Sequence, residues 1–206
     1  MSIQVDTTSF LSDLDLTNGM SYEKYFLLIK ELLEEGKTTG KEQKESQLKH
    51  ARLNFQRMKR VYRTARIIPE LEDHIKSINT PQEWIVLTEG WCGDAAQSLP
   101  LIARLAELNN QIKLTIVLRD ENLELMDRYL TNGSRSIPKM IVFDVASGKE
   151  LYSWGPRPEP LQELVIEHKR NPVVPKEQFD EQLHRTYTDD KTNSLQQELL
   201  AKIQES

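Results

Sequence analysis

The sequence predicts an α/β fold: a mixed sheet flanked by helices, with a helical extension before it and a short C-terminal helix after it. Three observations carry that prediction. Apolar, strand-like runs alternate with amphipathic helical patterns between residues 69 and 171, an order that places a sheet beneath helices. One turn-rich hexapeptide, Asp144-Val145-Ala146-Ser147-Gly148-Lys149, separates two of those runs and closes the pattern with a hairpin. The only cysteine, Cys92, stands where a strand pattern gives way to a helical one.

In order along the chain, residues 1–20 are polar and irregular and read as an arm. Tyr22, Phe26, Ile29 and Leu33 recur at helical spacing, which predicts an amphipathic helix over Tyr22–Glu35 with Gly36 suited to its C-terminal end. Gly36-Lys37-Thr38 has the look of a phosphate loop. The first glycine of that motif would fall at Glu31, however, and a helix precedes it where a strand is required, so nucleotide binding is set aside. Leu48, Ala51, Phe55, Met58, Tyr62 and Ala65 alternate steps of three and four. That seam predicts a second helix, packed on the first or on the following domain. Pro69 suits the first turn of a short helix, Pro69–Ser77, with Leu71 and Ile75 inward.

Next come strand Glu83–Thr88, helix Ala95–Leu108, strand Lys113–Leu118 and helix Asn122–Leu130. Strands Lys139–Phe143 and Glu150–Ser153 flank the hairpin turn, and helix Pro160–Lys169 follows. Asn171-Pro172-Val173-Val174-Pro175 reads as an extended linker, and Leu195, Leu199 and Ile203 predict a last helix over Ser194–Ile203. The expected organisation is an arm and helical extension over 1–68, the α/β domain over 69–171, and a linker with the C-terminal helix over 172–206.

Composition narrows the function classes. The 206 residues carry a formal net charge of -5, a mild balance that offers nucleic acid no general attraction. No apolar run approaches the ~20 residues of a membrane span. The start, Met1-Ser2-Ile3-Gln4-Val5-Asp6, lacks the basic and apolar stretches of a signal peptide. A lone cysteine cannot form an internal disulfide. These features together predict a reducing, cytoplasmic setting. His50, His74, His168 and His184 lack metal-ligand spacing and are expected at the surface, so neither a metal nor another cofactor is predicted. Lys49, Arg52, Arg57, Lys59, Arg60, Arg63 and Arg66 crowd one stretch without an acid between Ser46 and Arg66. This is the solvated face of a helix or a docking face for an acidic partner.

Cys92 carries the candidate chemistry. At the start of a helix, free N–H groups and the helix dipole favour a thiolate. Asp94 opposes that effect, and Arg135 would offset Asp94 or bind an anionic group. The expectation is a modestly acidified, partly exposed thiol. The alternative is an inert, buried cysteine acting as a small hydrophobe. Asp120, Glu121 and Asn122 follow a strand and begin a helix, and are read first as capping residues.

Four features at fixed offsets then mark a resemblance. They are Trp91-Cys92-Gly93, Pro100 eight residues after the cysteine, Arg135-Ser136-Ile137-Pro138, and the strand Met140-Ile141-Val142-Phe143. Over about Pro69–Arg170 this layout resembles the thioredoxin superfamily. The whole chain resembles bacterial thioredoxin-like proteins of similar length with a helical N-terminal extension and a Trp-Cys-Gly-Asp-Ala motif. Further matching phrases are Thr88-Glu89-Gly90, Leu118-Arg119-Asp120-Glu121-Asn122 and Trp154-Gly155-Pro156-Arg157-Pro158.

The resemblance implies a cis bond before Pro138, a substrate edge at Ile137 and an apolar wall at Trp91. Gly93, Asp94, Ala95 and Arg135 would complete the binding surface around catalytic Cys92. It also implies that Gly155 lies beside the active-site loop, with Arg157 as an anion contact. Two positions depart from the family pattern. Ala95 stands where a resolving cysteine would be, and Val86 stands where a buried acid assists proton transfer. Both argue against an ordinary dithiol reductase.

Three functions are open at this point. The first is monothiol exchange with a disulfide-containing protein or a low-molecular-weight thiol. The second is a catalytically inactive peptide-binding module, and the third is a thiol redox sensor. A homodimer through the helical extension is a further expectation, because its apolar seam would fit a second copy.

Overall fold

The computed structural model describes residues 10–206. Residues 1–9, the first half of the expected arm, lie outside the described residues. A 3₁₀ turn, Phe10–Asp13, opens the described chain. Met20 then pairs with Ile116 at the outer edge of the sheet, so the second half of the arm is tied down.

The helical extension consists of α1, Tyr22–Glu34, and α2, Glu45–Thr64. Ser21 caps α1 by accepting the Lys24 N–H through its hydroxyl, and Gly36 ends it with a φ of +73°. There the Lys37 N–H bonds back to the Leu32 carbonyl, a backbone that glycine adopts without a Cβ penalty. α2 buries Ala51, Asn54, Met58 and Val61 against α4. Its Phe55 stacks on Phe26 of α1, with ring centroids 4.7 Å apart. The predicted seam is thus used inside the chain, on α1 and on the following domain at once.

α3, Pro69–Ser77, leads into β1, Gln82–Thr88. Then come α4, Gly93–Ala106, β2, Ile112–Leu118, and the five-residue α5, Leu123–Asp127. β3, Lys139–Asp144, and β4, Glu150–Trp154, form the hairpin. The sheet order is β2-β1-β3-β4. β1 runs parallel to β2 and antiparallel to β3, and β3 is antiparallel to β4. Every residue of β1 is buried, as expected of a central strand covered on both faces.

One face of the sheet, with Trp84, Val86, Ile116 and Val142, packs on Leu99 and Ile102 of α4 and on Tyr25 and Ile29 of α1. The opposite face, with Ile85, Leu87, Ile141 and Phe143, packs on Leu125 and Met126 and reaches Cys92 and Ile137. α5 is shorter than the predicted Asn122–Leu130: it starts one residue later, after a 3₁₀ turn, Arg119–Glu121, and ends at Asp127 with Arg128 as its C-cap. Asn122 holds the N-cap position, yet its amide donates back to the Leu118 carbonyl at 2.8 Å instead of capping α5.

After β4 come α6, Glu159–Arg170, α7, Lys176–Asp190, and α8, Asn193–Glu205. The sequence pattern assigns no element to residues 176–190. α7 forms because Phe179, Leu183 and Tyr187, four residues apart, pack with Leu161 and Val165 of α6. α8 places Leu195, Leu199 and Leu200 in the main core. Among the described residues, no helix is long and apolar enough to cross a membrane, and no cluster of His, Cys, Asp and Glu has the make-up of a metal site.

Candidate functional site

The site is built where β1 ends. Strand geometry holds through Thr88, and the chain then turns over Glu89-Gly90-Trp91. The Cys92 N–H bonds the Glu89 carbonyl at 3.0 Å, which sets Cys92 as the N-cap of α4. Its sulfur accepts the Ala95 N–H at 3.4 Å and donates to the Ile137 carbonyl at 3.2 Å. Ile137-Pro138 is a cis peptide, and the Ile137 carbonyl faces the thiol directly.

The environment of Cys92 corrects the expectation of a partly exposed, acidified thiol. The residue is only 7% exposed. Burial pushes the thiol up to about 12, and the negative charge of Asp94 raises it further. The Ala95 and Asp94 N–H groups and the Arg157 charge pull it down. Desolvation outweighs the helix terminus because the thiolate would lose most of its water.

Asp94 is fully engaged. Arg157 holds one carboxylate oxygen at 2.5 Å, and the Tyr187 hydroxyl donates to the other at 2.8 Å. The partner expected from the sequence, Arg135, instead makes a two-pronged pair with Asp127 at 2.6 and 2.7 Å. Asp127 lies on α5, within reach of the exposed Arg135 loop, so Arg135 keeps a place on the rim but not beside Asp94. Arg157 is the cation next to the cysteine.

Gly93 is pressed by α7. A Cβ on Gly93 would lie 2.7 and 2.8 Å from ring atoms of His184. The expectation that every histidine lies at the surface therefore fails for His184. Burial, and then the Arg57 charge, lowers its pKa to about 4, and the neutral ring meets the Gln97 amide at 3.3 Å. His168 also stacks on Phe179, at 3.9 Å between centroids.

Trp91 forms a wall, with the Arg119 guanidinium 4.9 Å above its ring, a cation–π contact. Its indole N–H makes no hydrogen bond. The resemblance implies a place for Gly155 beside the active-site loop; its nearest neighbours are Pro138 and Lys139 of the cis-proline loop. Its φ is +111°, and a Cβ there would lie 2.2 Å from the Pro138 carbonyl oxygen. Gly90 is held by the extension: its N–H donates to the Thr39 hydroxyl at 2.7 Å, and its carbonyl accepts from Asn54 at 3.2 Å. Beside it, Glu89 is buried. Burial raises its carboxyl pKa, against bonds from Thr39 and the Asp120 N–H.

Sequence reading missed Thr39, Asn54, Glu89, Arg119, His184 and Tyr187. Two of these had a signal. Asn54 lies three residues after Ala51 and four before Met58, a polar residue on a buried stripe. Tyr187 continues the four-residue spacing of Phe179 and Leu183.

These residues open onto a cleft of about 760 Å³ between the Trp91–Asp94 turn, the Ile137 loop, α2 and α7. Lys49, Arg57, Arg119, Arg135, Arg157, Lys169 and Lys176 line it, against Asp94, Glu177, Asp180 and Glu181. By formal charge cations exceed acids in this lining; Arg119, Arg135, Arg157 and Lys176 are paired with Asp120, Asp127, Asp94 and Asp180, so among the described residues Lys49, Arg57 and Lys169 are its cations outside any ion pair.

No curated protein matches the sequence. Two solved structures are similar in fold. One is a protein of unknown function from Pseudomonas aeruginosa, with 15% identity, a TM-score of 0.55, and coverage of 90% of this chain and 98% of that one. The other is an HIV epitope-scaffold, with 15% identity, a TM-score of 0.53, and coverage of 91% and 99%. A family model described as thioredoxin matches residues 40–170, a span that takes in the Cys92 turn, the cis-proline loop and all four strands. With sheet order, helix cap and cis-proline agreeing, the chain belongs to the thioredoxin family.

Proposed function

We propose that this protein is a thioredoxin-fold binding module whose cleft takes an acidic, extended segment of another protein. Cys92 then serves as the buried cap of α4. The observation that carries this reading is the state of the thiol: 7% exposed and bonded between the Ala95 N–H and the Ile137 carbonyl. A thiol held protonated is a poor nucleophile. The cationic lining supports the ligand's charge, since a positive cleft raises the local concentration of anionic groups.

The test is fluorescence anisotropy with a labelled, extended acidic peptide. Binding is expected to weaken as salt rises, to survive Cys92→Ser, and to fall by about tenfold or more in Lys49→Glu/Arg57→Glu. Loss of binding in Cys92→Ser, with a Cys92 mixed disulfide in the wild type, would overturn it.

A second reading, monothiol exchange, draws on one observation. Cys92 keeps the N-cap of α4 and lines the cleft. In that chemistry the Cys92 thiolate attacks one sulfur of a disulfide, and the S–S bond breaks. The departing thiolate takes up a proton, and an external thiol then releases Cys92 by the same exchange. Trapping of that mixed disulfide is the result that would favour it.

A further inference from the structure

The basic stretch of α2, with Arg66 just past its end, has more cations than the cleft uses. Among the described residues, none of Lys49, Arg52, Arg57, Lys59, Arg60, Arg63 and Arg66 forms an ion pair. Lys49 and Arg57 face the cleft. Arg60 and Arg66 line a second cavity, of about 530 Å³, bounded by α2, by Gln97 of α4 and by the junction of α7 and α8.

Lys191, at that junction, is the third cation of this cavity, and none of the residues lining it is acidic. The neutral groups there are Thr64, Gln97, Thr188 and Thr192, with Val61, Ala65 and Tyr187 giving it an apolar side. Lys191 and Thr192 both adopt positive φ, +52° and +68°, which turns the chain sharply where α7 meets α8.

Arg60 is the organised member. It donates to Thr188 Oγ1 at 3.1 Å and to Gln97 Oε1 at 3.0 Å. Both acceptors are neutral, so they orient the guanidinium without cancelling its charge. A guanidinium carries five N–H donors, and the remaining donors suit the paired oxygens of a phosphate or carboxylate.

We propose that this cavity is a binding site for a small polyanion, a molecule bearing two or more phosphate or carboxylate groups, with Arg60, Arg66 and Lys191 as its cationic contacts. The site is separate from the cleft and stands whether or not the peptide-binding reading holds. Its size admits a small metabolite and excludes a folded domain.

The test is isothermal titration calorimetry of the full chain with inorganic pyrophosphate and, separately, with citrate. Saturable binding of one or both is expected, weakening as ionic strength rises. Pyrophosphate alone would identify the phosphate source, and citrate alone the carboxylate source. Arg60→Gln and the double variant Arg66→Gln/Lys191→Gln should each weaken binding by about tenfold or more. Arg52→Gln/Lys59→Gln removes equal charge from the same helix outside the cavity, and should change it less than about twofold. Circular dichroism confirms that each variant is folded. Absence of saturable binding to either probe, or equal weakening in the Arg52/Lys59 control, would overturn the proposal.

Discussion

The thiol of Cys92 donates to the carbonyl oxygen of Ile137 at 3.2 Å, so the cysteine and the residue before the cis-proline satisfy each other. A ligand that pairs with that carbonyl must displace the thiol proton. Alkylation of Cys92 should be slow at neutral pH and should accelerate as pH rises toward about 12. The folded thiol holds its proton above the unfolded value, so stability is full below about pH 9 and falls as pH rises through 12. The loss is about 1.4 kcal/mol per pH unit. The difference between wild type and Cys92→Ala in denaturant titrations across that range isolates this contribution. Rapid alkylation at pH 7 would contradict the burial.

Asp94 sits between Cys92 and two partners, and replacing it tests both relationships. Asp94→Asn removes the charge that raises the thiol and leaves Arg157 beside it. The Cys92 pKa should fall, and alkylation should quicken at a fixed pH. Stability should fall by about 3 kcal/mol, because a largely buried guanidinium loses its counter-charge. Tyr187→Phe should cost about 1.5 kcal/mol through one lost bond to a carboxylate. Chemical denaturation and thiol kinetics measure the two effects separately.

His184 is held neutral against Gly93. Its folded pKa of about 4 lies below the ordinary value of 6.5. Its contribution is therefore complete above pH 6.5 and is lost as pH falls toward 4. An NMR titration should show His184 neutral from pH 8 down to 6, where an ordinary histidine is largely protonated, and His184→Gln should flatten the acid limb of the stability profile. Gly93→Ala drives a methyl into the ring and should cost about 1–3 kcal/mol. Much of that cost should return in Gly93→Ala/His184→Ala, which opens the space.

Gly155 faces backbone, where nothing can yield. With a φ of +111° and the Pro138 carbonyl 2.2 Å from an added Cβ, Gly155→Ala should destabilise by about 3 kcal/mol or more. Its thermal midpoint should drop well below that of Gly133→Ala, which also has positive φ but open space around it.

Much of the fold was legible because its determinants are local. The strand-to-helix turn at Cys92, the Ile137-Pro138 loop and the hairpin at 144–149 each carry their residues within a short span. The surroundings of the thiol were not legible, because they are assembled over long separations. Asp94 meets Tyr187 and Arg157 only after α6 and α7 fold back over the turn. At Cys92 the N–H groups of the helix start do lower the thiol pKa, as its position at a helix N-terminus implies. Burial, which Ile137 and the packing around Ala95 supply, outweighs them. α7 carries a weak sequence signal because its apolar stripe is one residue wide, which is enough for a helix pairing with a single neighbour.

The bonds from Thr39 and Asn54 to Gly90 give the helical extension a role in orienting the turn it does not belong to. Grafting Gly90–Ala95 into another scaffold of this family would carry the motif across without its restraint. The amide and carbonyl of Gly90 would lose both partners, and the cysteine would inherit whatever orientation the host turn allowed. The motif is in that sense a property of three stretches of chain, and swapping it requires moving the Thr38-Thr39-Gly40 connector and Asn54 of α2 as well.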